Sequence, residues 1–166
     1  MLLLPAGCAT TAPGAQPGPT DSVPTPSAAP PSPSPPTYQL GHPAQADNGQ
    51  VAATVFAYRQ PAGPPTAGDA VWGAADVQVC VQPNAIFDVS VSRGPWQLLS
   101  RSGHAIPPSL ASDAGFPQPP YPVDHRQLKS GECVRGWIAF PVPTGERPTA
   151  VRYAPSGAQP VIWAVS

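Results

Sequence analysis

Charge is scarce in this sequence. Lys and Arg total 8 and Asp and Glu total 9 among 166 residues. The basic residues form no run or stripe, so the attraction that dominates nucleic-acid binding is missing and no nucleic-acid partner is expected. Long apolar runs are missing too. The stretch Met1–Gly7 is far shorter than the ~20 residues a membrane-crossing helix needs. No Gly-x-Ser-x-Gly, His-Glu-x-x-His, Cys-x-x-Cys or Ser-x-x-Lys pattern occurs. The nine carboxylates are dispersed, which nominates no glycosidase pair. His42, His104 and His125 fall in expected loops or at the domain edge, read as surface histidines. Only convergence with Asp113 or Asp124 in space would make them a metal site, and their spacing does not favour it. The neighbours Asp124 and His125 cannot easily orient one another as part of a triad. No enzyme, catalytic residue, metal or cofactor is therefore expected.

Proline is plentiful, at 28 residues. It fixes φ and removes a backbone donor, so it concentrates where no ladder is needed. Residues 9–36 hold ten prolines among Ala, Ser, Thr, Gly and Gln, with Asp21 as their one charge. Such a segment buries too little apolar surface to offset its ordering entropy. It reads as a disordered tether over residues 9–37, biased to polyproline II with a reach of about 85 Å. Two other readings stay open: Pro31–Pro36 as a ligand for a proline-recognition domain, and glycosylation of the Ser/Thr-Pro pattern.

From residue 38 to 166 the pattern changes. Short apolar segments alternate with period 2 and are bounded by turn residues such as Pro83-Asn84, Gly94-Pro95 and Thr144-Gly145. Strands are expected at 51–58, 77–81, 86–92, 96–100, 131–140, 150–153 and 161–165. About seven short strands in about 130 residues predict an all-β, antiparallel, immunoglobulin-like sandwich in one domain. Gly136 in mid-strand marks a bulge or a close approach of another chain segment. Residues 101–128 lack alternation and are rich in proline, and read as a long surface excursion. Long loops are often functional. Its aromatics, Phe116 and Tyr121, are the candidate binding surface, on the expectation that they are exposed.

Three cysteines are present. Residues 1–8 end in Ala6-Gly7-Cys8 after an apolar run, which resembles the lipobox of bacterial lipoproteins. The resemblance implies that 1–8 is the remnant of a signal peptide and that Cys8 is lipidated. The chain would then lie outside the cytoplasm, anchored to the outer face of the cell membrane by lipid. Cys80 and Cys133 remain as a disulfide pair, with two free thiols as the alternative. Both sit on the more polar faces of their strands. That favours a bridge at a strand end or on an outer sheet face. The membrane is thus one expected partner, and an unidentified cell-envelope protein or ligand is the other.

The segment Leu128–Pro143 carries a second resemblance. Leu128, Gly131, Gly136, Phe140 and Pro143 match a pattern of actinobacterial exported proteins with an immunoglobulin-like domain. That family is related to a secreted immunogenic protein of mycobacteria and to telokin-like domains of unknown function. The resemblance implies the sandwich fold and an extracytoplasmic location, and no reaction. Three functions remain: a binding module, a cell-envelope enzyme whose residues meet only in space, and a structural surface domain.

Overall fold

The computed structural model describes residues 34–66, 68–111 and 113–165. Cys8, the lipobox and residues 9–33 of the expected tether lie outside these. The described chain is all β apart from one short 3-10 turn. One sheet contains β1 (Thr37–Tyr38), β11 (Val161–Ala164), β10 (Ala150–Tyr153), β6 (Trp96–Leu99) and β7 (Ala105–Ile106), in that order. The other contains β2 (Ala44–Ala46), β3 (Val51–Arg59), β4 (Ala70–Val81) and β9 (Cys133–Pro143). A two-stranded ribbon pairs β5 (Val89–Val91) with β8 (Arg126–Leu128). The pairings are antiparallel except β1 with β11, which is parallel.

The expected sandwich is present, and its core follows from alternation. Val77, Val79 and Val81 point inward, as do Val134, Ile138 and Phe140 on β9. They meet Trp96, Leu98 and Trp163 of the facing sheet in one buried cluster. Trp163 also donates its indole N–H to the carbonyl of His42 at 2.9 Å. β4 and β9 pair continuously from Ala70↔Pro143 to Cys80↔Cys133. The disulfide closes that last pair, with a Cα–Cα distance of 4.0 Å, at the strand end and on the outer face, as the polar faces implied. Beside it on that face, Arg135 grips Asp76 with two nitrogens (3.0 and 2.6 Å) and stacks over Phe56. Phe56 sits at the irregularity in the β3–β4 register.

Two strands differ from expectation. β4 starts at Ala70 instead of residue 77. Alternation is hidden there because both faces are covered: Ala75 faces the core, while Ala74 and its partner Ala139 lie beneath the excursion. The strand expected at 86–92 shrinks to Val89–Val91. Ile86 and Phe87 are 76% and 74% exposed, so that apolar pair supplies no core. The short β1, β2, β7 and β8 have two or three residues each, too few for a period to show.

Candidate functional site

The excursion between β7 and β8 has few backbone donors, because proline recurs through it. Two of the donors it keeps attach it to the free edge of β9. Ser109 N–H donates to the Ala139 carbonyl (2.8 Å) and Tyr121 N–H to the Trp137 carbonyl (2.9 Å). In return, Trp137 N–H donates to the Pro119 carbonyl (2.9 Å), so the excursion forms a parallel bridge at Pro120. Gly136 makes the crossing possible. A Cβ there would stand 2.5 Å from Tyr121 N and 2.6 Å from Pro120 C, both backbone atoms that cannot swing aside. The sequence expectation of a close approach at Gly136 holds.

Arg93 fixes both ends of the excursion. Its Nη1 donates to the Ser109 carbonyl (2.7 Å) and its Nη2 to the Tyr121 carbonyl (2.9 Å). The side chain is 3% exposed. Arg135–Asp76 is the ion pair among the described residues, so Arg93 is buried without a carboxylate contact. Its Nε has no protein acceptor. Burial pushes the guanidinium below its ordinary pKa, and the Asp124 carboxylate partly offsets this. Arg93 is therefore an internal clamp and not a solvated surface charge.

Between the clamped excursion and the sheet lies a cavity of about 260 Å³. Ala74 and Ala139 are among its lining residues, and so are Trp137, Phe116, Pro120 and Arg93. Small side chains on the outer face of the β4–β9 pair leave this space open. Phe116 is held edge-on against Trp72, with ring centroids 5.0 Å apart. The turn before it is set by Asp113, whose Oδ1 accepts from Gly115 N–H at 2.7 Å. Gly63 leaves room for the ring, since a Cβ there would lie 2.5 Å from it. Arg59 covers Trp137, 4.9 Å from the ring centroid.

The expectation that Phe116 and Tyr121 are exposed is corrected. Tyr121 is 1% exposed and packs edge-on against Trp96 in the core. Burial pushes its phenol up well past the usual range, with Tyr153 adding to the rise. Its hydroxyl lacks a partner of ordinary geometry, and so does the nearby Trp96 indole N–H. Phe116 is 9% exposed, and lines two cavities rather than offering a free face. The excursion buries these rings because the crossing over Gly136 turns it inward. Leu110 keeps the exposure expected of the segment, at 74%.

The dispersed polar residues do not converge. Asp113 lines the cavity, whereas His125 lies in a separate polar cleft with Asp88, where its Nδ1 is 3.2 Å from Ser90 Oγ. His104 N–H donates to Ser100 Oγ (3.0 Å) in the turn after β6. Among the described residues no three His, Cys, Asp or Glu side chains form a metal-binding group. Sequence reading missed Arg93, Trp72 and Trp137 as parts of the cavity. Phe116 and the proline-rich excursion pointed to the region, and Gly136 to the close approach that closes it.

No family model matches the chain, and no curated protein matches it. Two solved structures share its fold. MPT63, a secreted protein from Mycobacterium tuberculosis, is 24% identical with a TM-score of 0.54, over 80% of this chain and 99% of that one. The yjhA protein from Bacillus subtilis is 14% identical with a TM-score of 0.56, over 78% of this chain and 99% of that one.

Proposed function

We propose that this chain is a non-catalytic binding module of the cell envelope, carried outside the cytoplasm and held at the membrane by a lipid on Cys8. The observation that carries the binding role is the clamped excursion. A proline-rich segment is pinned over a regular sheet by a buried arginine, and it walls a cavity with aromatic rings. A preformed, mostly apolar concavity with a few polar groups is the usual form of a ligand site. Mounting it on a sheet edge keeps the walls in place before a ligand arrives, which lowers the ordering cost of binding.

The extracytoplasmic part is supported by the Cys80–Cys133 disulfide, which suits an oxidising compartment. The sandwich shared with a secreted protein points the same way. The Ala6-Gly7-Cys8 sequence supports the anchor.

Two measurements test this. Heteronuclear NMR of the full chain against a fragment set is expected to give shifts clustered at Trp137, Phe116 and Ala139. Shifts spread evenly over the surface, or none, would sink the binding role. Mass spectrometry of Cys8 after membrane fractionation is expected to find a diacylglycerol adduct; an unmodified thiol in the soluble fraction removes the anchor.

A further inference from the structure

The cavity beside Arg93 does not end at Phe116. A second, more open cavity of about 510 Å³ also has Phe116 in its lining, together with Trp72, Pro64, Pro65 and Pro141. Ala111, Asp113 and Phe116 line both. The two hollows therefore adjoin, and we treat them as one groove that meets at Ala111, Asp113 and Phe116.

Three properties of this groove select a ligand. Its walls are flat and stiff, built from Trp72, Phe116 and Trp137 with prolines between them. Its lining includes two half-buried indoles, Trp72 and Trp137, whose N–H makes no hydrogen bond among the described residues, unlike that of Trp163. The charge the halves share is the Asp113 carboxylate, because the cationic Arg93 is turned onto the Ser109 and Tyr121 carbonyls. A proline-containing strand complements all three. Its pyrrolidine rings pack on aromatic faces, and its carbonyls accept while its prolines offer no N–H. It is also extended before it binds, which lowers the entropy lost. A turn of polyproline II spans ~9 Å, so successive proline pairs reach adjoining hollows. Asp113 adds a preference for a positive charge on the strand.

We infer that the groove at Phe116 takes an extended, proline-containing peptide that carries a lysine or arginine. This rests on the binding role proposed above and names the ligand class for that site.

The test uses the full chain and three synthetic peptides, followed by tryptophan fluorescence and NMR. The first is acetyl-Ala-Pro-Pro-Ala-Leu-Pro-Pro-Lys-Pro-Ala-amide. The second replaces its lysine with glutamate, and the third replaces its prolines with alanine. Saturable binding of the first is expected, at least tenfold tighter than either of the others. Asp113→Asn, which keeps the side-chain oxygen that accepts from Gly115 N–H, is expected to erase the preference between the lysine and glutamate peptides while leaving the proline requirement intact. Phe116→Ala is expected to weaken binding at least tenfold. Equal binding of the lysine and glutamate peptides overturns the inference, as does a proline-free peptide that binds as well as the first. If no peptide binds but chitotetraose or an apolar fragment shifts the Trp137 and Phe116 resonances, the peptide inference fails and the binding role stands. If the Trp137 and Phe116 resonances respond to nothing, both fail.

Discussion

The β4–β9 pair and the excursion over it are ordered in opposite ways. In the pair, register runs unbroken from Ala70↔Pro143 to Cys80↔Cys133, and each residue contributes a little. In the excursion a few contacts carry the order: two carbonyls on Arg93, three backbone bonds to β9 and the space at Gly136. Distributed order tolerates single substitutions, whereas concentrated order does not. The candidate site is built on the second kind and rests on the first.

Disulfide removal sets the upper limit for this contrast. Cys80→Ser with Cys133→Ser frees a crosslink spanning 53 residues and is expected to cost about 4 kcal/mol, read as a lower urea midpoint. Next is Gly136→Val, expected at about 3 kcal/mol, because its side chain meets the backbone at Tyr121 and Pro120. If hydrogen exchange then shows loss of protection over 107–125 alone, the ladder is independent of the excursion; loss throughout would merge the two regions. Arg93→Met is expected to cost about 2 kcal/mol by orphaning two carbonyls. Its signature is local: residues 107–125 open while Val77–Val79 stay protected. A uniform loss would break the comparison.

The smallest effect is at Tyr121. Its hydroxyl has only the nearby Trp96 indole N–H beside it, short of ordinary hydrogen-bond geometry, so Tyr121→Phe is expected to leave stability at pH 7 within about 0.5 kcal/mol. The alkaline limb should change instead. Tyr58, Tyr121 and Tyr153 are all raised by burial, Tyr153 to about 12. A raised folded pKa means the unfolded chain releases its proton first. The stability these groups give is present below pH ~10 and is lost as pH rises through the folded values. Tyr121→Phe is expected to make that loss shallower in urea titrations between pH 9 and 12. An unchanged slope would mean the hydroxyl reaches solvent.

What was legible in the sequence follows the same division. Alternation at Val77, Val79 and Val81, and at Val134, Ile138 and Phe140, gave the sandwich, because one face of each strand is dry and the other wet. Where both faces are covered, at Ala74 and Ala75, the period vanished and β4 was read too short. At Ile86 and Phe87 apolar residues imitated a strand and turned out to face solvent. Arg93 was opaque, because its partners are backbone carbonyls 16 and 28 residues away and carbonyls leave no trace in sequence. Phe116 and Tyr121 were correctly linked to the excursion but given the wrong exposure, since its proline content suggested a surface path. Gly136 was the one local sign of the crossing.

The disulfide has a topological consequence. Cys80 and Cys133 bracket every residue of the Arg93 clamp and the excursion, together with the exposed Ile86, Phe87 and Leu110. That stretch is a covalently closed ring riveted at the end of the ladder. A protease that cuts after Phe87 or Leu110 therefore leaves two fragments that travel as one molecule until a reductant is added. A single cut inside the ring thus frees nothing; losing a piece takes a reductant as well, or a second cut.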